Sequence, residues 1–291
     1  MNFYSDGHVP EMSDCNNSPV NKKSGPIAKK DILSVQDMIP FLFHDISNKI
    51  FIYETLGSTN LTAKENTRSG TEHGTVIIAN SQTAGKGRYG KTFHSPPDHG
   101  LYMSMILHST RLYFNDPVLL TIYAAVAVCE AIESLSGKSP QIKWVNDIIF
   151  NGKKICGILT EATADQNDPD AQWLILGIGI NFSTPASNFP EELKEKAGSV
   201  FDTEKSAVTR NHLAAEIINR IIFSENQYKD DEIIIKYKQK MFLLGKEISV
   251  TEGKDVYNAV AVDIDSTGRL VIKKADGESK SLSAGEISIK K

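Results

Sequence analysis

Apolar residues recur in short runs along most of the chain, and the spacing of these runs predicts strands and helices in alternation. One longer pattern, Val118 to Leu135, is nearly continuous in apolar residues and has helical length. Asp116 and Pro117 are start signals for this helix and Gly137 is a stop signal. The runs of strand length are Ile50–Tyr53, Thr75–Ala79, Leu101–Leu107 and Trp173–Asn181. Together they predict helices packed against a sheet.

A hairpin is predicted between Gln141 and Glu161. Asn151-Gly152 separates two apolar runs, and this dipeptide favours a two-residue turn with positive φ at both positions. Polar residues interrupt both predicted strands, at Lys143, Asn146, Asp147, Lys154, Gly157 and Glu161. Lys and Asp are rarely buried unless they are paired or bound to something. These residues therefore form either the solvent face of an edge strand or part of a binding site.

The end of the chain has a different pattern. Residues 207–223 and 225–241 have the spacing of two amphipathic helices. From Lys246 onward, short alternating runs are separated by the turn signals Glu252-Gly253, Ser266-Thr-Gly268 and Asp276-Gly277. Short strands with such punctuation are typical of a small barrel, so we predict a second domain there.

The start of the chain is polar. Residues 1 to about 30 are rich in Asn, Ser, Asp, Pro and Gly, and such a segment cannot bury enough apolar surface to fold. Pro40 interrupts the next apolar residues, so Asp31–Asp45 is expected to hold one short helix or turn at most. We predict a flexible extension over residues 1–45. It is too short for a helix-turn-helix domain, and we expect no DNA binding.

Composition excludes several classes of protein. The chain has 291 residues, a formal charge of −4 and an isoelectric point near 6.0, which gives no general argument for nucleic acid or membrane surfaces. No apolar run approaches the ~18 residues that span a bilayer, and residues 1–23 lack the apolar centre of a signal peptide. We therefore expect a soluble, cytoplasmic protein.

Metal and thiol chemistry are not expected. Cys15, Cys129 and Cys156 are scattered, so they form neither a disulfide framework nor a metal-binding motif. Cys129 and Cys156 lie in apolar patterns and are expected to be buried. The seven histidines lack ligand spacing, which leaves no intrinsic metal site.

A glycine-rich segment over residues 80–91 is the strongest local signal for binding. It combines three glycines with three cations, namely Gly85, Gly87, Gly90, Lys86, Arg88 and Lys91. Glycine lets the backbone approach a ligand closely, and Lys and Arg neutralise anionic oxygens. The spacing matches neither the dinucleotide fingerprint nor the Walker loop. On its own, the segment is either an anion-binding loop or a solvated surface turn.

Three small polar residues follow the first predicted strand. Ser58, Thr59 and Asn60 precede the helical run from Leu61 to Ser69, and each is a good N-cap residue. Capping requires only one of them, and Ser and Thr hydroxyls also bind polar ligand groups in pockets. The local pattern favours capping.

These motifs, taken in order, resemble the biotin protein ligase family from about Ile50 to Ile289. The family's motifs are matched by Gly57-Ser-Thr-Asn60, Ser81–Lys91, Gly100-Leu-Tyr-Met-Ser104, Lys143-Trp-Val-Asn-Asp147, Lys154–Glu161, Leu176–Asn181, Gly245-Lys-Glu-Ile and Leu282-Ser-Ala-Gly-Glu286. The resemblance implies an α+β fold with a mixed-sheet catalytic domain over residues 46–243. It also implies a small SH3-like β-barrel over residues 244–291.

The resemblance implies ATP-dependent activation of biotin as biotinyl-5′-AMP and its transfer to a lysine of a biotin carrier protein. ATP with Mg²⁺ and biotin are then substrates, with no tightly bound cofactor. Catalytic roles fall on Lys154, Arg88 and Asp147, the last to orient the acceptor lysine or the metal. The implied biotin-binding residues are Ser58, Thr59, Asn60, Gln82, Lys86, Gly87, Arg88, Lys154 and Gly157. The implied ATP- or adenylate-binding residues are Gly85, Lys86, Arg88, Lys143, Asn146 and Asn181.

The chain departs from the family pattern at three positions. Lys86 occupies a position where Arg is common in the family. Lysine cannot form a bidentate hydrogen bond to an anion, which implies altered affinity for the adenylate. Val145 and Phe93 replace the usual Pro and Trp, which we interpret as packing variation. The resemblance is to the monofunctional class, as a monomer or homodimer. The alternatives are a lipoate ligase-type enzyme and a non-enzymatic module that binds biotin or its adenylate.

Overall fold

The structure is a computed structural model that describes residues 31–112, 115–201, 207–223, 230–283 and 285–289. Its helices are α1 (Val35–Met38), α2 (Thr59–Asn66), α3 (Pro117–Ser136), α4 (Arg210–Ile218), which continues as a π-helical turn over Asn219–Phe223, and α5 (Asp230–Lys240). Its strands are β1 (Ile50–Leu56), β2 (Thr75–Gln82), β3 (Gly100–His108), β4 (Gln141–Lys143), β5 (Asp147–Phe150), β6 (Lys153–Ala164), β7 (Gln172–Asn181), β8 (Glu247–Glu252), β9 (Asp255–Ile264), β10 (Leu270–Lys274), β11 (Ser279–Leu282) and β12 (Glu286–Ile289).

A seven-stranded mixed sheet forms the centre of the larger part of the protein. Its order is β1-β2-β3-β7-β6-β5-β4, with β1 and β2 parallel and every other neighbouring pair antiparallel. β2 and β3 have almost continuously buried residues because helices cover the sheet. The predicted mixed sheet with packed helices is confirmed.

Helix α3 is the long core helix that the sequence predicts. The Asp116 carboxylate accepts hydrogen bonds from the backbone N–H groups of Val118 and Leu119, and Gly137 ends the helix at φ 66°. Its length and composition would suffice to cross a membrane, so the prediction that no apolar run approaches that length was wrong. Two thirds of its most apolar stretch is, however, buried inside the protein. The apolar face is thus used to pack against the sheet and helices α4 and α5.

The predicted hairpin is confirmed at its turn and corrected in its first strand. Asn151 and Gly152 both have positive φ, at 50° and 75°. The segment from Gln141 to Phe150 is not one strand, because β4 and β5 pair antiparallel to each other, with Lys143 opposite Asp147. The intervening residues 144–146 are the turn, and the Trp144–Val145 peptide bond is cis. The polar motif therefore lies at a chain reversal.

The C-terminal strands form a separate five-stranded antiparallel sheet with the order β11-β10-β9-β8-β12. The short strands predicted from Lys246 onward are confirmed, and no pairing joins β11 to β12 among the described residues. The Trp144 indole N–H donates to the Gly268 carbonyl at 3.0 Å, and Lys238 Nζ lies 2.7 Å from Asp263 Oδ1. These contacts fix the C-terminal sheet to the β4–β5 turn and to α5.

Residues 31–45 do not form part of a flexible extension. Met38 on α1 is fully buried, and the Asn211 side chain bonds the backbone of Ile32 and Ser34. Asn219 likewise bonds the backbone of Phe43 and of Phe41. The predicted end of the flexible extension at residue 45 was wrong. Apolar contacts and amide hydrogen bonds from α4 and its π-helical turn order residues 31–45, which the local sequence alone does not. Residues 1–30 of that prediction lie outside the described residues.

His73, which precedes β2, makes stability depend on pH. Its Nδ1 accepts a hydrogen bond from the His108 backbone N–H at 3.0 Å, and burial, then the charges of Arg111 and Lys49, lower its pKa from 6.5 to about 4. The unfolded chain takes up this proton at a higher pH than the folded protein does. Stability therefore falls as the pH drops from about 6.5 to about 4.

His73→Asn tests this prediction, because an amide oxygen accepts the same hydrogen bond without titrating. The free energy of unfolding, measured by urea titration across this pH range, should fall more steeply with acidification in the wild type than in the variant. Equal pH slopes would contradict the assignment.

Candidate active site

A cavity of about 840 Å³ brings the predicted site residues together. Its wall is formed by the start of α2, the loop after β2, the β4–β5 turn, the first half of β6, the middle of β7 and the start of β12. Every candidate residue lines this cavity except Gly85 and Asn181. Residues that are more than 120 positions apart in the chain thus share one cavity.

The polar end of the cavity is built around the first turn of α2. Ser58 occupies the N-cap position, yet its side chain makes no capping hydrogen bond. Instead, Gln82 Oε1 accepts from the Thr59 backbone N–H at 2.9 Å and from its hydroxyl at 3.2 Å. Gln82 Nε2 donates in turn to Ser95 Oγ at 2.9 Å. A side chain from β2 therefore caps the helix, and the prediction that one of the three small polar residues caps it is corrected.

A second layer of buried polar groups fixes Thr59 and Asn60. The Ser104 hydroxyl, fully buried on β3, lies 2.6 Å from Asn60 Oδ1 and 2.8 Å from Thr59 Oγ1. Asn60 Nδ2 donates to Glu161 Oε2 at 2.9 Å, which sets the orientation of the amide. Asn60 also lies so close to Gly177 that a Cβ there would collide with Oδ1. The network holds these side chains in one arrangement.

The glycine-rich loop is a small hairpin after β2. The Phe93 N–H donates to the Gly85 carbonyl at 2.9 Å, Lys86 and Thr92 pair, and the Gly87 N–H donates to the Lys91 carbonyl at 2.7 Å. A Cβ at Gly85 would lie 2.5 Å from the Phe93 carbonyl oxygen, so only glycine fits there. This hairpin projects Arg88 from its tip.

Arg88 reaches across the cavity to the β4–β5 turn. Its Nη1 donates to Asn146 Oδ1 at 3.2 Å, and its Nη2 donates to Tyr89 Oη at 3.0 Å. Asn146 Nδ2 donates to the Ile158 carbonyl at 2.8 Å, so the amide that receives Arg88 is itself fixed. The loop is therefore connected to the opposite wall by a charge-assisted hydrogen bond.

The opposite wall places a lysine and a carboxylate side by side. Lys154 Nζ on β6 lies 2.6 Å from Asp147 Oδ1 on β5, and both side chains are partly exposed to the cavity. A Cβ at Gly157 would lie 3.2 Å from Lys154 Nζ and 3.3 Å from the Phe93 ring. A Cβ at Gly179 would lie 2.8 Å from the same ring. Glycine at both positions lets Lys154 and Phe93 lie directly on the sheet.

Lys143 adds a cation whose charge is poorly compensated. Burial, opposed by Asp147 and reinforced by Lys154 and Lys91, lowers the pKa of the Lys143 ammonium. The ammonium group of Lys143 makes no hydrogen bond or ion pair with another residue within the described ranges. An anionic group bound in the cavity would supply the missing negative charge.

Comparison with known proteins identifies the family of this chain. Residues 52–181 match the Biotin/lipoate A/B protein ligase family, and residues 243–290 match the Biotin protein ligase C terminal domain. The bifunctional ligase/repressor BirA of Bacillus spizizenii is 32% identical over 274 residues, covering 91% of this chain and 82% of that protein. The chain belongs to the biotin protein ligase family.

Two further relatives extend the comparison of this ligase. A protein from Mycobacterium tuberculosis, named biotin--[acetyl-CoA-carboxylase] ligase, is 28% identical over 239 residues, covering 79% of this chain and 85% of that protein. The biotin protein ligase from Aquifex aeolicus, solved in complex with biotin and ATP, has a TM-score of 0.69 and 27% identity. The match covers 83% of this chain and 98% of that structure. The α+β fold and the ligase class follow.

Two predicted site residues of this ligase lie behind the cavity wall. Gly85 forms the base of the loop hairpin. Asn181 is buried, and its Nδ2 donates to the Gly198 carbonyl at 3.0 Å and to the Lys154 carbonyl at 3.4 Å. Its amide therefore fixes the backbone of Lys154 and a neighbouring segment.

Sequence reasoning missed two parts of the wall of this ligase's cavity. The segment Leu193–Ala197 lines it and is held to β6 by a hydrogen bond from the Lys154 N–H to the Lys196 carbonyl at 2.7 Å. Residues 285–288 reach it from the C-terminal sheet. Phe93, interpreted as packing variation, also lines the cavity. The Gly177 and Gly179 pair was the one available signal that a ring and an amide lie against β7.

The described residues of this ligase contain no group of three His, Cys, Asp or Glu side chains arranged to hold a metal ion. Cys129 and Cys156 are fully buried, as predicted, and burial raises the pKa of both thiols. Neither lines the cavity. The polar lining of the cavity combines cations, amides and hydroxyls with the carboxylates of Asp147, Glu195 and Glu286.

Proposed function

We propose that this protein activates biotin with ATP and transfers it to one lysine of a biotin carrier protein. In the first step a carboxylate oxygen of biotin attacks the α-phosphorus of ATP, and the bond to the leaving pyrophosphate breaks. In the second, the carrier amine attacks the acyl carbon, an amide bond forms, AMP leaves and the amine loses a proton. Both steps build negative charge on phosphate and carboxylate oxygens, which fixed cations stabilise.

The observation that carries the proposal is the convergence of cations on two facing walls of one cavity. Arg88 and Lys86 extend from the glycine-rich loop, and Lys154 and Lys143 extend from the sheet opposite. The Lys143 ammonium forms no ion pair within the described ranges, and the Lys154 ammonium is partly exposed, so both can contact a phosphate or a carboxylate in the cavity. We assign Lys154 to bridge the biotin carboxylate and the α-phosphate.

The polar end of the cavity is assigned to the biotin head group. A cyclic urea presents one acceptor oxygen and two N–H donors, and the pocket offers fixed hydroxyls and amides at Ser58, Thr59, Asn60 and Gln82. Ser58 is buried, and its hydroxyl makes no hydrogen bond to a residue of the described ranges, so it is available to the ligand. The side chains of Thr59, Asn60 and Gln82 are held before binding, which favours specificity.

Mg²⁺ is assigned as part of the MgATP substrate. Magnesium is usually bound by one or two carboxylates together with substrate phosphates. Asp147 is a carboxylate on the cavity wall and Glu195 is another, so the residues fit a metal that the nucleotide carries. The ion pair with Lys154 suggests that Asp147 also keeps the lysine in place before the substrates bind.

A carrier-labelling assay tests the proposed function. Purified protein with biotin, MgATP and an apo biotin carrier domain should release pyrophosphate and add biotin to one carrier lysine, as measured by mass spectrometry. Lipoate in place of biotin should give neither product. Labelling with lipoate would favour the lipoate ligase alternative, and binding of biotin without pyrophosphate release would favour a non-enzymatic module.

Ser104→Ala should weaken biotin binding without weakening nucleotide binding. The change removes the hydroxyl that fixes Thr59 and Asn60 and leaves the Asn60 amide oxygen unpaired, which costs about 1–3 kcal/mol. Biotin affinity, measured by calorimetry, should fall about tenfold. Ser81→Ala is the matched control. The Ser81 hydroxyl forms a 2.8 Å hydrogen bond with the Thr55 hydroxyl, and this pair lies away from the cavity. Unchanged biotin affinity in Ser104→Ala would contradict the role of the network.

We also propose that the protein does not bind an operator, although a relative is named ligase/repressor. The support is the fold of residues 31–45, which form one short helix and a turn packed on α4. A mobility-shift assay with genomic fragments, biotin and ATP should show no sequence-specific complex. A tight, sequence-specific shift that requires the ligands would refute it.

A further inference from the structure

We propose that the C-terminal sheet closes the glycine-rich loop through a latch formed by Tyr89, Lys91, Gly285 and Glu286. Tyr89 is then a positioning residue for Arg88, and the latch sets how long the loop stays closed. The consequence for adenylate retention rests on the proposed function. The latch itself is a property of the ligand-free protein and is testable alone.

Two contacts form the latch. The Gly285 backbone N–H donates to Tyr89 Oη at 3.1 Å, and Lys91 Nζ lies 2.6 Å from Glu286 Oε1. Tyr89 lies in the turn at the tip of the loop, and Lys91 directly follows that turn. Gly285 precedes β12, Glu286 begins it, and both line the same cavity. The loop tip is therefore attached at two points to one short segment at the start of β12.

Tyr89 connects this segment directly to Arg88. Its hydroxyl oxygen accepts from Gly285 N–H and also from Arg88 Nη2, at 3.0 Å, and the guanidinium lies 4.9 Å from the centre of its ring. The same guanidinium donates to Asn146. Arg88 is thus held between the mixed sheet, through Asn146, and the C-terminal sheet, through Tyr89. Its position depends on both sheets.

The backbone of Tyr89 agrees with a loop held in place by outside contacts. Tyr89 has φ 55° and ψ 36°, the left-handed region that disfavours a bulky residue. Such a conformation persists where surrounding contacts impose it. The side chain is more than half exposed, so core packing does not impose it, whereas the hydrogen bond from Gly285 does act on this residue.

The C-terminal segment is a firm anchor for the loop. Glu286 pairs with Thr251 in the β12–β8 ladder. The sheet is joined to the cavity wall a second time, by the hydrogen bond from Trp144 to the Gly268 carbonyl. The latch therefore joins the glycine-rich loop, on one side of the cavity, to a sheet that is also attached to the other side through Trp144.

The latch is strong enough to bias the loop and weak enough to open. Lys91 and Glu286 are about half exposed or more, and exposed ion pairs contribute little in water. A single hydrogen bond changes an equilibrium by about threefold to tenfold, where tenfold corresponds to about 1.4 kcal/mol. Substrate entry and product release require the loop to open, which a latch of this size permits.

Amide hydrogen exchange in the ligand-free protein tests the latch directly. Tyr89→Phe keeps the ring and removes both hydrogen bonds, and Glu286→Gln removes the ion pair. Exchange of loop residues 85–93 and of the Gly285 amide should become about threefold to tenfold faster in Tyr89→Phe, with a smaller rise in Glu286→Gln. Glu278→Gln, which breaks the exposed Lys274–Glu278 pair of the same sheet, should leave the loop unchanged. Unchanged loop exchange in Tyr89→Phe would overturn the proposal.

A double-variant cycle separates the ion pair from general loosening. If Lys91 and Glu286 act as a pair, Lys91→Gln and Glu286→Gln together should accelerate loop exchange no more than either change alone. Strictly additive effects would show that the two residues do not act together and would remove the ion pair from the latch.

The functional consequence is measured as release of the adenylate from the preformed complex. Tyr89→Phe should release biotinyl-adenylate about threefold to tenfold faster, because it loosens Arg88. Faster loop exchange without faster release would overturn the retention role and leave the latch. If the wild type makes no adenylate, the proposed function fails, and the exchange experiment still decides the latch.

Discussion

Lys154→Ala should abolish carrier labelling. Lys154 is the cation on the sheet side of the cavity that is positioned against Asp147, at 2.6 Å, and held close to the sheet by the absence of a side chain at Gly157. Removing one group that stabilises developing charge lowers kcat by about 10²–10³-fold. Both half-reactions need this charge, so pyrophosphate release and transfer from added biotinyl-adenylate should both fall.

Two controls make the Lys154 result specific. Lys273→Ala removes an exposed lysine from β10, away from the cavity, and should keep wild-type labelling. Lys154→Ala also leaves Asp147 without its counter-ion. The double variant with Asp147→Asn removes that carboxylate charge as well. Labelling that returns in the double variant would show that the stranded carboxylate, and not the loss of the lysine, caused the defect.

Arg88→Gly should release reactive adenylate into solution and label proteins without selection. The change removes the bonds from the loop tip to Asn146 and to Tyr89, and also the charge assigned to the adenylate. A hydrogen bond from a charged group contributes about 1.5–3 kcal/mol, so the loss of one such bond to the adenylate corresponds to release about 10- to 150-fold faster. An added bystander protein with exposed lysines should become biotinylated, as measured by mass spectrometry.

Arg88→Lys should have an intermediate effect on adenylate release, because lysine keeps the positive charge but lacks the planar guanidinium that makes two parallel hydrogen bonds. Its release rate should lie between those of the wild type and Arg88→Gly. If Arg88→Gly retains the adenylate as long as the wild type does, the assignment of Arg88 to the phosphate is refuted.

The elements of the fold could largely be predicted from local sequence. The cap and stop of α3, the Asn151-Gly152 turn and the five C-terminal strands all depend on residues near one another in the chain. Two predictions are wrong. The segment from Gln141 to Phe150 is not one strand, because it reverses at residues 144–146, and residues 31–45 are not flexible, because distant contacts from α4 order them.

The residue types of the candidate site were also evident from the sequence, and their arrangement was not. The alternation of glycine and cations around Arg88 predicted an anion-binding loop, and the loop lines the cavity. Nothing local indicated that Gln82 would cap α2 in place of Ser58, because the two residues meet only when β2 lies beside β1. Asn181 was predicted to bind the adenylate, but its amide lies behind the cavity wall and donates to a backbone carbonyl.

The sequence by itself determined the periodic elements, the turns and the chemical character of the motifs, because these depend on the conformational preferences of neighbouring residues. Only the tertiary structure decided which charges meet. It brought Arg88 to Asn146 across the cavity and Gly285 to Tyr89 over a separation of 196 residues. Such contacts arise when burial of apolar faces brings distant strands together, and local sequence preferences do not encode them.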